Sequence, residues 1–201
     1  MLQQIRPAIV MIGLLTVLTG FVYPLAMTAV AQILLSRQAN GSLVVKDGVI
    51  VGSSLIGQNF ASAKYFHPRP SATTDTDPND SSKTVDAPYN AAASTGSNLG
   101  PTSQKLVDRV KAGVTGFQTL AGAGPVPADA VTTSASGLDP DVSPANAFAQ
   151  VPAVARARGL NEAQVRDLVV RAVRKPALGF LSEPRVNVLL LNLALDQLRS
   201  S

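Results

Sequence analysis

The chain has 201 residues, a formal net charge of +4, one histidine, and neither cysteine nor tryptophan. The missing cysteine excludes a disulfide framework and thiolate chemistry, and a single histidine leaves a multi-histidine metal site or proton relay without its parts. Aromatic residues make up 4% of the chain, which leaves no broad stacking surface for nucleic acid.

The first predicted element follows a short tail, residues 1–6, and covers residues 7–36. No charged residue falls between Arg6 and Arg37. A bilayer core needs about 20 apolar residues in helical form, and this run exceeds that. A cleaved signal has an apolar core of about 7–15 residues. Here Ile33-Leu34-Leu35 continues the run beyond the small-residue site Ala29-Val30-Ala31. The expectation is one retained transmembrane helix. Gly13, Thr16 and Gly20 share a face that would let another helix approach closely. Pro24 is expected to kink the helix, and the Tyr23 hydroxyl beside it needs a partner inside protein. Arg6 and the terminal amine nearly balance Arg37 and Lys46, so charge does not set the orientation.

Residues 37–201 are long enough for one domain, expected to be α+β. Val-rich runs flank Asp47-Gly48 and predict a hairpin. Tyr65 to Ser71 holds two prolines and must run extended. His67 within it reads as a hydrogen-bonded structural histidine. Residues 72–104 read as a polar loop. Asp75, Asp77, Asn79 and Asp86 imitate calcium-loop spacing, but Asp80 replaces the required glycine, so a solvated acidic loop is the expectation. Residues 94–103 and 131–141 are rich in hydroxyls and glycine.

Helix is expected from Gln104 to Ala112, with Ser103 as N-cap, before glycines dilute the pattern. Ser143-Pro144 opens another, bent at Pro152 and stopped by Gly159. Asn161 and Gln164 suggest a capping box for a third, running through Lys175. The late arginines, Arg158 among them, read as a solvated face. Pro176 to Pro184 reads as a connector, and the last helix starts at Pro184 or Arg185. No nucleophile–base pair can be read from spacing, so an enzyme in its own right is not expected.

Several unusual segments resemble, in the same order, the C subunit of the Kdp-type potassium-transporting ATPase of bacteria. They are Thr19 to Thr28, Gly52 to Phe60, Tyr65 to Ser71, Ser94 to Ser103, Val131 to Pro144 and Leu178 to Leu195. The resemblance implies a single-span accessory subunit of the inner membrane, with its N-terminus cytoplasmic and a single extracytoplasmic α+β domain. The implied partners are a channel-like potassium-translocating subunit, a P-type ATPase subunit and a very small single-span subunit. The implied role is that of a catalytic chaperone raising the affinity of the ATPase subunit for ATP. An extracytoplasmic domain sits uneasily with that role, because ATP is cytoplasmic.

The family's likeness to a nucleotide signature loop falls here on Leu55-Ile56-Gly57-Gln58, with Gln58 as the candidate ATP contact. Ile56 stands where a small residue belongs. The expected contact residues are Gly13, Thr16, Gly20, Tyr23 and Pro24 in the span. On the loops they are His67, Arg69, Ser94, Asn98, Ser136 and Asp139. The alternative reading is a membrane-tethered binding module for an unrelated extracytoplasmic ligand.

Overall fold

The computed structural model describes residues 2–176 and 178–198. Two compact units divide the chain, Met1–Ser53 and Ser54–Ser201.

The first unit begins with α1 (Ile5–Leu34), whose apolar side chains are not buried within the chain. Its 30 residues rise about 45 Å, more than the roughly 30 Å of a bilayer core. One turn of it is wider than the rest. Across Leu18–Val22 the helix is π-helical, and the Tyr23 amide donates to the Leu18 carbonyl. The wide turn ends at Val22, and Pro24 lies in the first turn of the second α-helical stretch, which begins at Tyr23. A proline ring clashes with the carbonyl four residues earlier, and a wider turn relieves that clash. Two hydroxyls bond within the helix: Thr19 Oγ1 to the Leu15 carbonyl at 2.7 Å and Thr28 Oγ1 to the Pro24 carbonyl at 2.8 Å.

Leu35 leaves helical geometry at φ −135°, and a short α2 (Ser36–Ala39) follows. Asn40 Nδ2 ties this corner together, donating to Gln32 Oε1 at 3.0 Å and to the Ser36 carbonyl at 2.7 Å. Strands β1 (Leu43–Lys46) and β2 (Val49–Ser53) then pair antiparallel. Their turn is Asp47-Gly48, both at positive φ, as that dipeptide predicts.

The second unit runs through β3 (Thr74–Asp77), β4 (Asp80–Asp86), α3 (Gln104–Ala121), α4 (Ala128–Val131) and β5 (Asp141–Val142). It continues with α5 (Pro144–Arg158), α6 (Glu162–Ala172), β6 (Val173–Arg174), β7 (Arg185–Asn187) and α7 (Val188–Leu195). The core lies late in this order. Val151, Val154, Val165, Val169, Leu191 and Leu195 from α5, α6 and α7 pack with Val142 and Val186 of a small antiparallel sheet ordered β5-β7-β6. The caps of α5 are as expected: Ser143 Oγ accepts from the Asn146 amide at 3.1 Å, and Gly159 ends the helix in left-handed geometry.

Phe66 joins this core from the extended stretch 65–71, far away in sequence. Its insertion carries backbone into an apolar interior, where unpaired amides and carbonyls are costly. Two buried carboxamides meet that demand. Asn192 Oδ1 accepts from the Phe66 amide at 2.9 Å, and its Nδ2 donates to the Phe66 carbonyl at 3.0 Å. Gln150 does the same for His67, accepting from its amide at 2.7 Å and donating to its carbonyl at 3.1 Å.

Several sequence expectations need correction. Residues 72–104 are not simply a loop: β3 and β4 form a hairpin about Pro78-Asn79, so Asp75, Asp77 and Asp86 lie on strands. Helix α3 passes through Gly113 and Gly116 to Ala121, and the Ser103 side chain makes no cap bond. Helix α6 stops at Ala172, giving way to β6. The last helix starts at Val188, because Arg185–Asn187 pair as the central strand. Asn187 caps that helix through the Leu190 amide at 3.1 Å. Arg158 is part-buried and paired rather than freely solvated: its Nε donates to the Lys64 carbonyl at 2.6 Å, its Nη2 pairs with Asp196 at 2.7 Å, and it covers the Tyr65 ring at 4.6 Å.

Replacing Asn192 by Leu keeps the volume but orphans both polar groups of Phe66. The expected loss is about 2–4 kcal/mol, read as a lowered melting temperature by circular dichroism on the full chain in detergent.

Candidate functional site

The predicted contact residues fall in two places. Gly13, Thr16, Gly20, Tyr23 and Pro24 are all exposed on α1. A Cβ built at Gly13 or Gly20 would meet nothing within 4 Å, so both positions are open to a close neighbour.

The second place is a loop cluster in the unit Ser54–Ser201. Four stretches cross there: 54–60, 67–73, 87–98 and 131–141. Arg69 and Asp139 close the cluster across a long sequence separation, with Nη1 2.8 Å from Oδ2. Asp139 Oδ1 also accepts the Asp141 amide at 3.0 Å, which holds the carboxylate in place. The Tyr89 hydroxyl donates to the Arg69 carbonyl at 2.7 Å. Burial pushes the Tyr89 phenol well above its usual range, the Asp139 charge adds to this, and Arg69 opposes it. The phenol therefore stays a hydrogen-bond donor at any physiological pH.

Gly57 sits against both groups. Its amide donates to the Leu138 carbonyl at 2.9 Å. A side chain there would run into the Tyr89 ring and the Asp139 carbonyl. Ser71 joins the remaining loops: its Oγ donates to the Gly137 carbonyl at 2.8 Å and accepts the Tyr89 amide at 3.0 Å. Gly137 turns the chain at φ +68°, with Thr73 and the Thr95 carbonyl too close for any Cβ. Beyond it, the Ser136 carbonyl accepts from Ser94 Oγ and from the Thr95 amide, each at 3.0 Å. Gly96 packs on the Ala135 carbonyl, and Asn98 follows with left-handed φ +49°.

The structure thus brings Arg69, Ser94, Ser136 and Asp139 into one network, with Gln58 adjoining through Gly57. His67 lies two residues from Arg69 and faces elsewhere. Its Nε2 is 3.2 Å from the Ser62 carbonyl, and it lines a hollow of about 260 Å³ with Phe117, Asn146 and Gln150. Arg69 stands between two further hollows, one bordered by Leu55, Ile56 and Ser134–Ser136, the other by Asp129, Asp141 and Arg185.

Sequence reasoning missed three residues. Tyr89 is held at φ +64°, and nothing in its neighbourhood signals that. Asp129 gathers the start of α5, accepting from the Ser143 amide at 2.7 Å, Ser143 Oγ at 2.9 Å and Asn146 Nδ2 at 3.1 Å. Asp141 pairs with Arg185 Nε at 2.9 Å and accepts from Asn187 Nδ2 at 3.2 Å. Burial still raises its carboxyl pKa, outweighing the hydrogen bond from Asn187 and the Arg185 charge.

The network's main charges, Arg69 and Asp139, neutralise each other, and several of its backbone groups bond from loop to loop. What it offers is a shaped, fixed surface.

A family model described as the K+-transporting ATPase, c chain (KdpC), matches residues 5–197. A potassium-transporting ATPase KdpC subunit of Rhodopseudomonas palustris strain BisB18 is 60% identical over 196 residues, spanning 98% of both chains. The corresponding subunit of Bradyrhizobium diazoefficiens is 59% identical over 197 residues, again with 98% of each chain covered. That of Methylobacterium nodulans is 59% identical over 198 residues, with the same coverage.

Gly57→Ala must push on the Tyr89 ring and the Asp139 backbone together. It should cost about 1–3 kcal/mol, measured by thermal melting, whereas Gly116→Ala, with open space around it, should not destabilise. Asp141→Asn tests the raised carboxyl. The native state holds the Asp141 proton more tightly than the unfolded chain, so stability falls as pH rises through the unfolded and then the native pKa. The melting temperature of Asp141→Asn relative to the parent should therefore increase from pH 3 to pH 7.

Proposed function

Because the chain belongs to the KdpC family, the c chain of K+-transporting ATPases, we propose that it is the pump's membrane-anchored, non-catalytic subunit. In this role it stabilises the assembly and raises the affinity of the ATP-hydrolysing subunit for ATP. A KdpC subunit is part of the Kdp ATPase complex, so potassium transport is the setting in which the chain works.

The observation that carries the reading is α1. Its apolar residues find no cover within the chain, and its small residues stand open on the surface. Such a helix calls for lipid on most sides and a neighbouring helix on one. The channel-like potassium-translocating subunit supplies that neighbour at Gly13, Thr16 and Gly20, and Tyr23 and Pro24, past the wide turn, meet it on a second bearing. The P-type ATPase subunit and a very small single-span subunit complete the complex. The N-terminus lies in the cytoplasm and the α+β domain outside the membrane, where the Arg69–Asp139 loop cluster meets the partner.

With the domain outside, the influence on ATP travels through the membrane subunits. The Gly57 amide supports this, since it is committed to the Leu138 carbonyl and does not offer itself to a phosphate. Gln58→Ala should accordingly leave the pump's KM for ATP unchanged, and a marked rise would establish Gln58 as an ATP contact.

Gly20→Leu should lower recovery of the complex in an affinity pull-down by about tenfold, equivalent to roughly 1.4 kcal/mol. Full recovery would remove this face as the contact. Ser82→Cys, in a chain without native cysteine, should react with a membrane-impermeant thiol reagent on intact cells. Protection until lysis would place the domain in the cytoplasm.

A further inference from the structure

Strands β6 and β7 pair directly, so the described residues between them, 175–176 and 178–184, belong to the loop of a hairpin rather than a plain connector. The loop is tipped with large apolar side chains. Leu178 is 81% exposed, Phe180 75% and Leu181 49%. Its backbone is held in a costly shape: Leu178 has φ +54° and Ser182 φ +80°. Bulky L-residues seldom adopt that region, and such strain persists where it serves a function. The turn is closed by the Gly179 amide donating to the Pro176 carbonyl at 3.1 Å. Nothing in the core requires Leu178 or Phe180, which point away from it.

The base of this finger is basic. Arg174 and Arg185 are cross-strand partners, an arrangement of like charges that is unfavourable unless an anion is near. Asp141 pairs with Arg185. Lys175 follows the strand, and Arg171 lies in the last turn of α6; both are exposed and make no ion pair among the described residues. From Arg171 to Arg185, Glu183 is the sole acid.

We propose that the β6–β7 finger is a membrane-interface anchor. Leu178, Phe180 and Leu181 enter the boundary between headgroups and acyl chains, while Arg171, Arg174 and Lys175 face the phosphates of anionic lipids. Apolar insertion and electrostatic attraction are the two signals that together hold a peripheral surface on a bilayer. The same chain carries α1, so a bilayer is present at high effective concentration. The surplus of cations over acids at the base favours lipid phosphate over a protein socket.

The test uses the full chain in lipid vesicles, with single cysteines carrying an environment-sensitive fluorophore and a nitroxide-labelled lipid as quencher. Val17→Cys reports that the span is inserted, and Ser82→Cys, on the β3–β4 hairpin, serves as the surface reference. In phosphatidylcholine vesicles containing phosphatidylglycerol, Phe180→Cys should be quenched about threefold more than Ser82→Cys by a shallow nitroxide. Adding Arg171→Glu and Lys175→Glu should at least halve that quenching. If Val17→Cys is quenched while Phe180→Cys matches Ser82→Cys, the proposal fails. It fails equally if the charge reversals change nothing. It fails too if, in the assembled ATPase, the label at position 180 is shielded from lipid and crosslinks to another subunit. None of these outcomes bears on family membership or on the span.

Discussion

The second unit depends on two carboxamides bonding to the backbone of two consecutive residues. Asn192 serves Phe66 and Gln150 serves His67, each giving one donor and one acceptor. In effect, two side chains replace a neighbouring β-strand. This lets a single extended segment cross a helical core without the rest of a sheet. It also joins the halves of the unit, because the core otherwise comes almost wholly from residues 142–195. Once Phe66 and His67 are fixed, Arg69 and Ser71 are carried to the loop cluster, and the crossings at Asp139 and Gly137 follow.

The loop cluster is rigid for a related reason. It has few large side chains to pack, so it packs backbone. Gly57, Gly96 and Gly137 each lie against a carbonyl oxygen that leaves no room for a Cβ. Hydroxyl groups of Ser71, Thr73 and Ser94 then satisfy polar groups between the loops. The density of serine, threonine and glycine in these segments is what such packing requires.

The parts legible in the sequence were those fixed by neighbours in the chain. The charge-free run of α1, the Asp47-Gly48 turn and the Ser143-to-Gly159 limits of α5 all rest on short-range chemistry. The β3–β4 hairpin escaped because its strands are solvated and carry no apolar alternation. Helix α3 outran its expected end because Gly113 packs on Val131 across the gap to α4, a contact that propensity does not see. Val186 shares the helical spacing of Leu189 and Leu190, so the switch from strand to helix at Val188 was hidden. Arg69 and Asp139 were named as separate surface residues; their pairing spans too much sequence for any periodic signal.

The wide turn at Leu18–Val22 affects the direction in which the helix points its side chains. More residues are used per revolution there, so positions on either side of it fall out of phase. Gly13 and Thr16 lie before it, Gly20 within it, and Tyr23 and Pro24 after it. The stripe that regular spacing would draw is broken, and the two ends of α1 address different bearings. A π turn is equivalent to one inserted residue. Without that residue, everything downstream, including the Gln32–Asn40 tie and the β1–β2 hairpin, would swing by about 100° around the helix axis. One residue's worth of helix therefore sets the compass heading on which the chain leaves its span.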